Sequence, residues 1–287
     1  MFVRLLPGWL GLIICLGISC AQASNEELYK ALQNSIAGPT QITLLDQGFL
    51  ELPAGMRFVP KKEANRYLEA LGNSPVSDLL GLVVGSDAAQ EIWVAELSYV
   101  HSGHIDDSEA SHWDVPALFA QLVEGTEDTN ELRRKRGFAP LRVEGWMEKP
   151  QYDKERRRLI WSVQAREVGG IPSALSIVNY NTYQLGREGY FSLNLITDDS
   201  AVERQKLQIQ SLLDQLTFRK ERRYQEFVSN SDQLAGYGLA ALIGGVAAKK
   251  VGFFALLGLL FSNAGKVLLF LLLPFVVLIK GLFRRGR

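Results

Sequence analysis

Cysteine occurs only at positions 15 and 20, so nothing beyond them carries a thiol. Disulfides, zinc–thiolate sites and cysteine nucleophiles are thereby excluded from the rest of the chain. Histidine is almost as scarce: His101, His104 and His112 are the only three, and they share one short segment. Acidic residues are missing from 1–23 and from 234–287. All 31 Asp and Glu therefore fall in 24–233, together with 23 of the 31 Lys and Arg, and that stretch has a formal charge of −8. Such a charge disfavours a nucleic-acid partner, and its aliphatic and aromatic content excludes disorder. Gly-x-Ser-x-Gly, His-Glu-x-x-His, a Walker loop and Gly-x-Gly-x-x-Gly are all absent. The sequence thus assigns no catalytic residue, no cofactor and no metal ligand.

The acid-free ends are informative. Arg4 precedes the apolar run Trp9–Ile18, and Ala21-Gln22-Ala23 follows it. A short basic region, about ten apolar residues and an Ala-x-Ala site describe a secretory signal peptide over 1–23, cleaved after Ala23. At the other end, Leu234–Ala248 is apolar and rich in small residues, Lys249-Lys250 interrupt it, and Val251–Ile279 is almost wholly apolar. The latter run would extend about 43 Å as a helix, more than the ~30 Å of bilayer hydrocarbon. Residues 234–287 therefore read as a membrane anchor with a basic tail. One crossing at 251–279 places Lys280, Arg284, Arg285 and Arg287 in the cytoplasm, as the positive-inside rule favours. A two-crossing hairpin would leave those bases outside. Gly236, Ala240, Gly244, Ala248 and Gly252 recur every fourth residue, a stripe of small side chains that would let another helix approach closely.

Between 24 and 233 the hydrophobic period alternates between two templates. Helical spacing appears at Leu28, Leu32 and Ile36, at Ala64–Leu71, at Leu118–Val123 and at Val202–Leu216. Strand alternation appears in 93–99, 141–147, 159–165 and 191–195, with further strands expected at 40–45, 49–52, 80–84 and 174–184. Glu148–Asp153 and Gly186-Arg-Glu-Gly189 read as turns between strands, and short turns join antiparallel neighbours. The expected fold class is α+β: one domain with a twisted antiparallel sheet, helices packed on one face, and the other face wetter.

The densest polar cluster runs from His101 through His104, Asp106, Asp107, Glu109 and His112 to Asp114. Imidazoles and carboxylates at such density could bind a divalent metal and support an envelope hydrolase. The spacing matches no standard motif, however, and Asp114 followed by Pro116 is a good helix start, so a capped turn is the preferred reading. The bases Arg133–Arg136 before Gly137 suit a helix C-terminus, and Lys154, Arg156, Arg157 and Arg158 suit a solvated strand edge.

Several strings resemble one family: Leu71–Pro75, Gly103-His-Ile-Asp-Asp107, Gly145-Trp-Met-Glu-Lys-Pro-Gln-Tyr-Asp153, Asn179-Tyr180, Leu185-Gly-Arg-Glu-Gly189 and Tyr237–Gly245. They look like the bacterial membrane-anchored proteins grouped as domain of unknown function 2167. The resemblance implies a bacterial envelope protein of this architecture and carries over no activity. The expected function is a non-catalytic binding or structural module, periplasmic and held at the inner membrane. Its partners would be the bilayer and either an envelope or membrane protein or a second copy of the chain.

Overall fold

The computed structural model describes residues 26–70, 76–89, 91–135, 137–170 and 176–244. The chain opens with helix α1 (26–33), followed by β1 (Ile36–Ala37), β2 (Thr40–Leu44), β3 (Gly48–Leu52), β4 (Arg57–Pro60) and α2 (Lys61–Ala70). Next come β5 (Leu79–Ser86), β6 (Ile92–Val100), α3 (Val115–Lys135), β7 (Leu141–Asp153) and β8 (Arg158–Glu167). The remainder is β9 (Ile177–Leu185), β10 (Tyr190–Asp198), α4 (Val202–Asp214), β11 (Leu216–Phe218) and α5 (Ala240–Gly244). Eight strands form one antiparallel sheet in the order β1-β4-β5-β6-β10-β9-β8-β7, and β11-β3-β2 form a small second sheet. The α+β class and the antiparallel sheet follow the alternation in the sequence.

Strand period and strand pairing decide what each face carries. Trp93, Ala95, Leu97 and Tyr99 of β6 lie on the same face as Phe191, Leu193 and Leu195 of β10. That face is closed by α4 (Ile209, Leu212, Leu213) and by Leu44, Leu50 and Leu52 of the small sheet. Burying each such aliphatic side chain contributes about 1.5–3 kcal/mol, so this cluster is the main core. The opposite face carries two separate clusters. At one end α1 and α2 cover Val59, Leu79, Leu82 and Val84. At the other, α3 and α5 cover Leu159, Trp161 and Val163. The expectation of helices on one face alone is thus corrected. Alternation reports that a side chain points up or down, and both faces here have apolar stretches long enough to require a cover.

The end of β7 is a second correction. Glu148–Asp153 was expected to form the turn, yet it continues the strand, and the turn lies at 154–157. Pro150 is tolerated because β7 is the outermost strand and its ladder with β8 shifts register between Glu148 and Gln151. Asp153 begins the true turn, its Oδ1 accepting from the Glu155 and Arg156 amides. The expected Gly186–Gly189 turn does join β9 to β10. Asp198 accepts from the Ser200 and Ala201 amides in the turn that precedes α4, and Asp114 accepts from Ala117 at the start of α3. After α3, Gly137 takes the left-handed conformation expected of it, with φ of 80°. Ile36, read as the last residue of a helical face, instead lies in β1.

Residues 234–244, which the sequence places in the anchor, lie against the domain. Leu239, Leu242 and Ile243 are buried in the cluster beneath α3, and Leu234 bridges His104. Among the described residues, no helix is long and apolar enough to cross a membrane. The apolar run 251–279 lies outside them.

Candidate functional site

The His101–Asp114 segment spends its polar groups on holding the fold together. His104 is buried, with its ring 4.0 Å from that of Phe227 and 4.2 Å from that of Tyr224. Burial lowers the pKa of its imidazole. Asp106 accepts from the Ser108 amide, and Glu109 accepts from the Ala240 amide at 2.7 Å, where it caps α5. Among the described residues, no group of three or more His, Cys, Asp and Glu is placed to hold a metal ion.

Asp107 is the hub of a lock between distant segments. It pairs with Arg157 of the β7–β8 turn and accepts from the Tyr152 hydroxyl at 2.8 Å. The Arg157 guanidinium lies over the Tyr224 ring at 4.6 Å, and Tyr224 donates to the Ile105 carbonyl at 2.8 Å. Burial opposes ionisation of Asp107, but the Tyr152 hydroxyl and the Arg157 charge outweigh it and hold the carboxyl below its usual value. A second lock joins Arg187 to Asp232 through two hydrogen bonds of 2.6 and 2.7 Å. Two of the strings that carry the family resemblance, 103–107 and 145–153, meet in the first lock, and a third, 185–189, supplies Arg187 to the second. The neighbouring cleft, about 370 Å³, has Arg156, Arg157 and Arg158 in its wall, each already tied to a carboxylate. These arginines therefore act as struts of the fold.

The site that sequence reasoning missed lies between the two helix-covered ends of the sheet. Leu82, Glu96, Asn194, Asn181 and Trp161 stand directly opposite one another across β5, β6, β10, β9 and β8. In the neighbouring row stand Leu79, Ser98, Ser192, Tyr183 and Leu159. The outer members of both rows belong to the apolar clusters under α2 and under α3. The inner members form the polar floor of a trough. Ser98, Asn181 and Ser192 are buried, Glu96, Tyr183 and Asn194 are half-buried, and Ile196 at the rim is 39% exposed.

Hydrogen bonding within the trough is incomplete. Glu96 receives only a long bond from the Ser98 hydroxyl, 3.4 Å, and Asn194 Oδ1 accepts from Ser192 at 3.2 Å. Glu96 Oε2 and the Asn194 amide nitrogen have no partner among the described residues. Burial pushes the Glu96 carboxyl above its ordinary value, opposed only by the Ser98 bond. Burial likewise raises the Tyr183 phenol, with Glu96 adding to the shift. A raised carboxyl binds its proton more tightly in the folded chain than in the unfolded one. Its contribution to stability therefore falls as pH rises from the ordinary value of 4.5 through the raised one. Glu96→Gln should accordingly unfold at a higher temperature than wild type at pH 7.5, with the gap closing toward pH 4. Thermal unfolding of both chains across that range measures it.

The signal for this site was present but ambiguous. Ala95-Glu96-Leu97-Ser98 alternates apolar and polar residues, as a strand with one solvated face would. Only the pairing with Asn194 and Asn181, and the helices on either side, turn that face into a trough.

Of the stripe of small residues, Gly236 is exposed, Ala240 begins α5, and Gly244 is buried against Gln121 of α3. Ala248 and Gly252 lie outside the described residues. Gly145 has open space around its Cβ position.

The family model described as "Protein of unknown function (DUF2167)" matches residues 36–276. The chain belongs to that family. The DUF2167 match takes in both locks, the whole sheet and the trough. This DUF2167 chain is also similar to the solution structure of cyanobacterial PsbP (CyanoP) from Synechocystis sp. PCC 6803, at 10% identity and a TM-score of 0.37. That similarity covers 63% of this chain and 92% of the other. No curated protein matches the chain.

Proposed function

We propose that this DUF2167 chain is a non-catalytic binding module of the bacterial envelope, with its domain outside the inner membrane. The apolar run 251–279 holds it there by a single crossing, with Lys280, Arg284, Arg285 and Arg287 inside. The observation that carries the binding role is the trough. A sheet face otherwise closed by helices leaves Glu96, Asn194 and Tyr183 open to a ligand, with hydrogen-bonding capacity unspent. Concave sites with a few convergent polar groups between apolar walls are the usual form of ligand pockets. The signal peptide and the acid-free, base-ended C-terminus support the location.

A single thiol tests both parts. In a chain whose Cys15 and Cys20 are replaced by serine, Ile196→Cys reports on the trough rim, and Leu207→Cys reports on the exposed side of α4. Both should react with a membrane-impermeant maleimide in intact spheroplasts. The thiol at 196 should react several-fold more slowly in cells than in the purified chain, whereas the one at 207 reacts equally in both. Failure of the thiol at 207 to label before permeabilisation would overturn the location. Equal rates at 196 would overturn binding in the trough.

A further inference from the structure

We infer that the trough binds a neutral oligosaccharide, with Glu96 and Asn194 addressing its hydroxyls. This rests on the trough being the binding site and adds the chemistry of its ligand. The floor supplies the Glu96 carboxyl, the Asn194 carboxamide and the Tyr183 phenol, and behind them the buried Ser98, Ser192 and Asn181 donate to Glu96, to Asn194 and to the Asn179 carbonyl. Carboxyl and carboxamide groups each offer two adjacent hydrogen-bonding atoms in one plane, which suits the vicinal hydroxyls of a sugar ring. Tyr183, packed edge-on to the Tyr190 ring at 5.6 Å, adds an aromatic ring with a polar tip, and such rings combine apolar contact with a hydrogen bond.

Competing ligands fit less well. No Lys or Arg occupies this face of β6, β10 or β9 in either row, so a phosphate would meet a carboxyl and no counter-charge. An extended peptide is best bound at a free strand edge, but β6, β10 and β9 are all interior strands with both edges paired. Recognition on this floor must run through side chains alone. From β6 to β9 the floor spans two strand spacings, about 10 Å, the width of a disaccharide.

The test is calorimetric titration of the full chain, held in a non-glycosidic detergent, with chitotetraose, cellotetraose and maltotetraose. At least one should bind saturably. Glu96→Ala and Asn194→Ala should each weaken that binding at least tenfold while keeping a cooperative thermal transition. Leu207→Ala, on the other side of the domain, should leave it unchanged. Three results would overturn the inference: no binding of any of the three up to millimolar concentration, undiminished binding in both trough variants, or a short neutral peptide binding in their place. Protection of the thiol at 196 in cells without tetrasaccharide binding would retain the binding module and overturn the oligosaccharide.

Discussion

Gly189→Ala is expected to destabilise the chain by more than about 3 kcal/mol, above the range usual for overpacking a core. A Cβ at Gly189 would stand 2.0 Å from the Val100 carbonyl oxygen, 3.0 Å from its carbon and 3.1 Å from the His101 Cα. All three are backbone atoms, so no side chain can swing away. Relief would have to come from separating β10 from β6, which pair from Tyr190↔Val100 through Ile196↔Val94 at the centre of the sheet. The same displacement would pull Gly103 from the Glu188 carbonyl, to which its amide donates at 3.0 Å. Gly145→Ala is the matched control, because no atom lies within 4 Å of its Cβ position and it sits on the outermost strand. It should stay within about 1 kcal/mol of wild type. Urea unfolding of both variants, read by far-ultraviolet circular dichroism, measures the contrast. A Gly189→Ala midpoint equal to that of Gly145→Ala would show that the two central strands yield at this point.

Asp107→Ala should cost about 3 kcal/mol, since removing one partner of a largely buried pair strands the other. The Asp107 side chain is 12% exposed and that of Arg157 29%. The variant would leave the guanidinium without its carboxylate and the Tyr152 hydroxyl without its acceptor. Arg157 also sits at φ of 55°, a left-handed conformation that only glycine adopts freely. Keeping arginine there costs backbone energy that the Asp107 pair and the Tyr224 stack offset. Arg157→Gly should therefore lose less stability than Arg157→Ala, by about 1 kcal/mol. Adding Arg157→Gly to Asp107→Ala should recover part of the loss, because no charge is then left unpaired. A double-mutant cycle by urea unfolding gives the coupling, and strict additivity would show that the pair is only a surface contact. The pH dependence has the opposite sign to that at Glu96. With the carboxyl held below its ordinary 3.8, the Asp107 contribution is present above that value and is lost as pH falls through the lowered one.

Much of the architecture was legible because it depends on short-range pattern. The odd positions 93–99 and 191–195 are apolar and the residues between them more polar, so both strands and one buried face followed directly. Gly186–Gly189 and Asp114 marked local events, a turn and a helix start, that need only a few neighbouring residues. Pro150 misled for the same reason. A proline in a run of polar residues signals a turn unless the strand is known to be an edge, and edge position is a property of the whole sheet.

The role of the 101–114 segment was legible only in part. That Asp114 caps a helix could be read from the next few residues. That Asp107 meets Arg157, Glu109 meets Ala240 and His104 packs on Phe227 could not, because those partners are far along the chain. Residue type announced a cluster of possible ligands, and distant partners engaged His104, Asp107 and Glu109 instead.

By itself, then, the sequence determined the class of the fold, most strands and helices, the absence of thiols beyond Cys20 and the expectation of apolar ends around an acidic domain. These follow from composition and from periods of 2 and 3.6 residues, which are local. The tertiary structure decided which face lies under which helix, that 234–244 closes over the sheet beside α3, and that Glu96, Asn181 and Asn194 come together. Alternation separates the two sides of a strand, but only the pairing of β6, β10 and β9 aligns their polar positions into one floor. Only the gap between the α2 and α3 layers leaves that floor without a helix over it.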